Sequence, residues 1–220
     1  MIVALTNSKG GVGKSTLAVH LAAWWKEQGA EVALVDADAQ GSSSVWLREA
    51  VPDLPLFRLQ TPDDLLEQVP QLRTQFEHLI IDGPAGLSEV TRAILLVADL
   101  ALLPCGPSVL DLRAAHEAIR VVKQAQAIRQ GPPRAVLVPN KLQVQYRLSR
   151  ELLETVKSLG IPAVGGLRLR QAYADAAGQG VVVWQLGPRG ELAANEIKEM
   201  FNGLLETKTD ERCVAASHAE

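Results

Sequence analysis

The chain has 220 residues, 47% of them hydrophobic and 21% charged, with a net charge of −3. That size suits one sizeable core rather than two independent domains, and the composition argues against wholesale disorder. The small negative charge gives no global pull toward nucleic acid or anionic lipid, and Cys105 and Cys213, far apart and outside any Cys-x-x-Cys spacing, read as reduced thiols.

The first element is an apolar run, Met1 to Asn7, that reads as a buried strand. After it comes Lys9-Gly10-Gly11-Val12-Gly13-Lys14-Ser15-Thr16, and then a helical stretch from Leu17 to Trp25. Strand, glycine loop and helix is the setting a phosphate-binding loop requires. Gly10, Gly11 and Gly13 let the backbone turn its N–H groups inward as an anion nest, with the Val12 amide among them. The helix start adds unpaired N–H groups, including those near Thr16, and the positive end of its dipole. Lys14 supplies a full charge to the β- and γ-phosphates of a bound nucleotide, and the Ser15 hydroxyl is a candidate Mg²⁺ ligand.

The strict pattern G-x-x-x-x-G-K-[ST] puts glycine where Ser8 stands, and the next residue is a second lysine, Lys9. Lys9 to Thr16 therefore resembles the deviant Walker A box of the ParA/MinD family. In that family the early lysine reaches the nucleotide of the other subunit across a dimer interface, and the resemblance gives Lys9 that role. The fold it implies is a P-loop NTPase: α/β, a doubly wound, mostly parallel twisted sheet with helices on both faces.

Further along, Gly29 reads as a helix C-cap, and Glu31 to Asp38 as a second buried strand ending in the acids Asp36 and Asp38. Ligands of such sheets gather at the carboxyl ends of the strands. Asp38 to Ser42 resembles the family's first switch, which makes Asp38 the residue that positions the attacking water and supports the metal shell; a helix-capping aspartate is the alternative. A short helix from Ser43 to Glu49, a short strand from Leu56 to Leu59 and a helix capped by Thr61 follow, with no chemistry evident. His78 to Asp82 reads as a Walker B strand whose Asp82 carboxylate holds Mg²⁺, usually through water, and Gly83 to Gly86 resembles the second switch. His78 itself reads as an edge residue.

Leu100 to Pro104 is a further buried strand with Cys105 as a small core residue, and Ser108 caps a helix reaching about Ile128. Relatives often carry a polar residue of this helix at the dimer face, which here means Asp111 or Arg113. Arg134 to Lys141 reads as another strand running into Asn140. The resemblance sets Asn140 against adenine, and a turn-forming asparagine is the alternative. From Arg134 to Arg189 the chain carries a net charge of +5, against −8 for the remainder. Arg147 and Arg150, three apart on one helix side, together with Arg168 and Arg170, form a candidate DNA-binding face by likeness to small ParA-type proteins; scattered solvated arginines are the alternative. The last helix is expected from Gly190 to about Leu205, with Leu192, Ile197, Phe201 and Leu204 or Leu205 inward. Domain 1–205 is thus followed by a polar tail, 206–220, expected to be disordered and too acidic for a membrane-anchoring helix.

The start of the chain lacks a basic n-region, and the apolar stretch from Ala93 to Pro104 is too short to cross a bilayer, so the expectation is cytoplasmic. The resemblance implies a homodimer formed on ATP, Mg²⁺ as cofactor, non-specific nucleoid DNA as matrix, and a ParB-like or cargo-adaptor protein that stimulates hydrolysis. The cargo would be a plasmid or a protein assembly such as a carboxysome. The other readings are a biosynthetic enzyme on the same fold, like cobyrinic acid a,c-diamide synthase or dethiobiotin synthetase, and an iron–sulfur reductase, for which Cys213 lies too far into the tail.

Overall fold

The structure is a computed structural model and describes residues 1–143, 145, 147–156 and 159–216. Six parallel strands form one sheet: β1 (Ile2–Asn7), β2 (Val32–Asp36), β3 (Leu56–Arg58), β4 (His78–Ala85), β5 (Leu100–Cys105) and β6 (Arg134–Pro139). Their order across the sheet is β3-β2-β4-β1-β5-β6. The chain winds outward from β1 to β3, returns to β4 and then proceeds to β5 and β6. The direction therefore reverses around β1, where sheets of this kind place their ligands.

Alternation along the strands divides the core. Val3, Leu5, Leu34, Ile80, Leu102 and Val136 face one layer, made by α1 (Lys14–Glu27), α2 (Ser42–Ala50), α7 (Gln171–Gly178), the 3₁₀ segment Val183–Arg189 and α8 (Glu191–Ala216). Ile2, Ala4, Ile81, Ala101, Leu103 and Leu137 face the opposite layer, made by α3 (Pro62–Leu72), α4 (Glu89–Val97), α5 (Val109–Arg129) and α6 (Arg147–Val156). Both sheet faces are covered, which is why the strands read as continuous apolar runs.

Helix α1 is buried on almost every side from Leu17 to Trp25, so it runs through the middle of its layer. Its His20 is enclosed by Trp46, Tyr173 and Trp184. Nδ1–H of His20 donates to Thr16 O (2.7 Å), and Nε2 accepts from Val183 N (3.1 Å). Burial pushes the imidazole down to about 4, so it stays neutral and ties the loop end of α1 to the C-terminal layer.

The capping expectations hold at Thr61, which accepts from Asp64 N, and at Ser108, which accepts from Asp111 N. His78 opens β4 and stacks on Trp25 with centroids 4.2 Å apart. Three expectations are corrected. β2 stops at Asp36, two residues short of Asp38. β4 runs on through Gly83 and Pro84 to Ala85, where Gly86 N bonds Ser8 O at the start of the glycine loop. Gly83 is needed there because a Cβ would stand 2.8 Å from Leu5 O. In α8, Ile197, Phe201 and Leu204 are buried, but Leu192 is 64% exposed and Ala193, Ala194 and Met200 fill the inner stripe. Leu192 lies off the three-to-four spacing that the other positions share. The side chains of residues 205–216, Cys213 among them, and residues 217–220 lie outside the description. Residues 162–169 bond the outer edge of β6 without forming a regular strand, through Leu137 N to Pro162 O and Leu167 N to Pro139 O.

Candidate active site

The glycine loop leaves β1 at Asn7, which is fully buried. Asn7 Nδ2 donates to Pro104 O (2.7 Å), and Oδ1 accepts from Lys9 N (3.0 Å), so both amide groups fix the start of the loop against β5. Gly11 and Gly13 have φ of 72° and 102°. Helix α1 then begins with no side-chain cap and no acid in its first turn, which leaves the positive end of its dipole for an anion from outside.

Lys14 is buried to 6% exposure, with Nζ donating to Lys9 O at 3.3 Å. Burial lowers its pKa, and the charges of Asp82 and Asp38 oppose that fall. Asp82 is fully buried at the register position beside Leu5 of β1 and Asp36 of β2. Burial pushes its carboxyl up to about 7, with the hydroxyls of Ser15 and Ser43, close by, pulling the other way. Neither hydroxyl bonds it fully: both Asp82 oxygens and Ser43 Oγ lack a partner among the described residues. An orphaned buried carboxylate costs stability unless a cation or water completes it. With the Ser15 hydroxyl nearby and Asp38 at the rim, the arrangement fits Mg²⁺, which takes few protein oxygens and keeps water and phosphate ligands. When bound, Mg²⁺ neutralises charge developing on the transferred phosphoryl group.

Asp36, assigned no role from sequence, has a duty distinct from that of Asp38. Asp36 Oδ2 accepts from Ser44 N (2.9 Å) and the Ser44 hydroxyl, and Oδ1 accepts from Asp38 N. Asp36 is thus the acid that supports the start of α2. Asp38 accepts from Gln40 N within its own turn and stays half-buried with its charge felt at Lys14.

Lys9 does not extend into solvent. Its Nζ lies 2.7 Å from Asp111 Oδ1, with side-chain exposures of 41% and 11%. Asp111 also accepts from the Ser108 hydroxyl and packs over Gly106, where a Cβ would stand 2.8 Å from Oδ2. Of the two α5 residues named from sequence, Asp111 is therefore the one at the loop. Cys105, buried beneath, has its thiol pushed up to about 12 by burial.

On the other side of the loop, Asn140 Nδ2 donates to Val12 O (2.8 Å) and Lys141 Nζ to Gly11 O (2.6 Å). A cavity of about 260 Å³ opens next to them, lined by Gly13, Thr16, Asn140, Lys141, Arg170 and Tyr173 among others. Its place beside the helix start suits the base and ribose of a nucleotide.

The four arginines fall into two pairs. Arg147 and Arg150 are exposed on α6. Arg168 and Arg170 converge on Glu196 of α8, with Arg170 bidentate at 3.0 and 2.6 Å and Arg168 at 3.4 Å. Burial alone would raise the Glu196 carboxyl; the hydrogen bonds and charges of the two arginines outweigh it and hold it low. Arg170, about one-fifth exposed, is committed inside the protein. Sequence reasoning missed Asn7, Lys141 and Glu196; a polar residue closing an apolar strand was the only signal for Asn7.

Residues 3–183 match the CobQ/CobB/MinD/ParA nucleotide binding domain. The chain is 31% identical over 210 residues, 92% of its length and 95% of the relative's, to the maintenance of carboxysome distribution protein A of Halothiobacillus neapolitanus. It is 33% identical over 187 residues, 84% of each chain, to the protein of the same name from Gloeobacter kilaueensis. In fold it is similar to the ATP complex of a Cyanothece McdA variant (TM-score 0.78, 17% identity, 93% and 95% of the two chains). It is likewise similar to the MinD cell division ATPase of Pyrococcus furiosus (TM-score 0.75, 21% identity, 94% and 98%). With the loop, the two switch-like segments and the doubly wound sheet all in place, the chain is an ATPase of the CobQ/CobB/MinD/ParA nucleotide-binding domain family.

Proposed function

We propose that this ATPase works as a positioning device: it dimerises around ATP, holds DNA non-specifically as a dimer, and releases it on hydrolysis stimulated by a cargo adaptor. The observation that carries the reading is the likeness, along nearly the whole chain, to proteins named for carboxysome distribution. A carboxysome or similar assembly is the cargo that likeness favours, and the nucleoid is where such an ATPase would reside.

Within it, Gly10 to Thr16 cradle the phosphates, and Lys14 neutralises the β- and γ-phosphates. Ser15 and Asp82 hold Mg²⁺, with Asp38 supporting the metal shell and orienting water. Lys9 crosses to the partner nucleotide, and Asn140 borders the adenine side. ATP couples binding to dimerisation because both subunits then share the buried triphosphates, and DNA affinity follows the dimer population. The DNA contact falls on the basic face that includes Arg147 and Arg150 of α6, while Arg168 and Arg170 are ion-paired with Glu196. Among the described residues no helix is long and apolar enough to cross a membrane.

A DNA shift assay with and without ATP tests this. ATP-dependent binding is expected, and replacing Arg147 and Arg150 together should weaken it and lower the salt slope by about two per subunit while sparing the ATPase. Binding that ignores ATP, or its absence, refutes the positioning role.

A further inference from the structure

We propose that Lys141 is a positioning residue for the ATPase: it pins the outer side of the glycine loop and thereby aims two of the loop's N–H groups at the phosphates. The inference starts from the backbone. Lys141 has φ of 57°, left-handed for a residue with a side chain, directly after β6. Such a conformation is strained and persists where surrounding contacts over-determine it. Here the contacts are plain. Lys141 N donates to Asn140 Oδ1 (2.8 Å), Lys141 Nζ donates to Gly11 O (2.6 Å), and Asn140 Nδ2 donates to Val12 O (2.8 Å). Asn140 is anchored in turn by its own N–H on Cys105 O. The next residue, Leu142, exchanges hydrogen bonds with Leu167 and Leu169, so the joint is fixed from both sides.

The consequence follows from peptide geometry. In a trans peptide the C=O of one residue and the N–H of the next point in opposite directions. Holding the carbonyls of Gly11 and Val12 toward β6 turns the N–H groups of Val12 and Gly13 the other way, into the concave side of the loop. Neither of those N–H groups has a protein partner among the described residues. Gly13 permits the arrangement twice over: its φ is 102°, and a Cβ there would collide with Asn140 Nδ2. Lys141 thus acts through the loop, and the anion meets backbone donors already turned to receive it.

The test measures equilibrium binding of a non-hydrolysable ATP analogue and steady-state ATPase for Lys141→Gln, Lys141→Gly and Lys141→Arg. Gln cannot reach Gly11 O with a charge, Gly relieves the positive φ while removing the strap, and Arg keeps both reach and charge. Gln and Gly should weaken analogue binding and raise KM by about five- to tenfold, the scale of one ordinary net hydrogen bond. Arg should stay within about twofold of the parent on the same scale. Because the N–H groups meet ground state and transition state alike, kcat should change little. Tripolyphosphate, used as a competitor without base or ribose, should lose affinity by the same factor. The Gly variant should keep or raise its Tm, which separates the effect from a loss of fold. Wild-type affinity in the Gly variant overturns the proposal, as does a loss confined to ATP and absent for tripolyphosphate.

Discussion

Asp111→Asn is the most direct probe of how Lys9 is governed. In the structure the subunit holds its own Lys9 on Asp111 at 2.7 Å, whereas the dimer reading needs that lysine on the partner's nucleotide. At an effective dielectric of 20 the bare attraction at that distance is about 6 kcal/mol. Side-chain ordering and lost hydration remove most of it, and exposed pairs retain about 0.2–1 kcal/mol in measurements. With Asp111 mostly covered but Lys9 two-fifths open, about 1 kcal/mol per subunit is a fair value. A dimer opens two such contacts, so removing them shifts the association constant by about 2 kcal/mol, or about 30-fold. The substitution is a mild one, because asparagine keeps the shape of Asp111 and can still accept from Ser108, so the start of α5 stays capped. Sedimentation velocity over a range of protein concentrations, with a non-hydrolysable ATP analogue, should show dimers at about one-thirtieth of the parent concentration. Adding Lys9→Ala to the same chain should cancel the gain. An Asp111→Asn protein with parental Tm that dimerises no better, or worse, refutes the reasoning and makes Asp111 part of the dimer contact.

Three other outcomes are expected. Lys14→Ala should abolish nucleotide binding, since among the described residues no second cation is buried at the helix start to replace it; normal ATP affinity by calorimetry contradicts the loop assignment. Asp38→Ala should retain ATP and accumulate the dimer because water is no longer oriented, whereas unchanged turnover removes Asp38 from the reaction. Asp82 titrates in the folded protein near 7 against 3.8 for the ordinary carboxyl, so the fold gains from it below about pH 4 and loses that gain as pH rises through 7. Above pH 7 the ionised, unpartnered group costs at most on the order of 4 kcal/mol. Asp82→Asn should therefore raise the Tm of the nucleotide-free protein at pH 8, by an amount that shrinks toward pH 4, and should also stop Mg²⁺-dependent hydrolysis. An unchanged Tm at pH 8 counts against the buried-charge account.

What sequence disclosed was whatever depends on residue type at short range. Apolar runs gave the parallel strands, glycines beside Lys14 gave the loop, and Thr61 and Ser108 announced helix starts through side-chain oxygens that accept a backbone N–H three residues on. What it concealed depends on which distant residues meet. Asp38 was singled out by its likeness to the first switch, but nothing in the chain showed that Asp36 supports a helix from within the sheet. Arg168 and Arg170 read as a basic pair until α8 brings Glu196 between them, 26 residues beyond Arg170. Lys141 is seen in the chain only as the basic residue after Asn140; its role needs β6 to end beside β5, which ends beside β1. Leu192 was misplaced although its spacing was legible, because it stands five residues before Ile197 and so off the three-to-four stripe.

The three lysines around the loop all hold protein oxygens: Lys14 on Lys9 O, Lys141 on Gly11 O, and Lys9 on the Asp111 carboxylate. Nucleotide binding is then an exchange of partners, and its order follows from the strength of what is displaced. A neutral carbonyl competes poorly with a phosphate for Lys14, so the first nucleotide draws that lysine readily. A carboxylate is a full charge, and Lys9 leaves Asp111 only for a site of greater negative charge. On the proposed reading that site is the partner's triphosphate, which exists only once a second ATP-loaded subunit arrives. On that reading, holding one lysine on carbonyl and the other on carboxylate would separate loading from dimerisation without any moving part beyond two side chains. On the same reading a monomer would bind ATP while the lysine of its future interface stays neutralised.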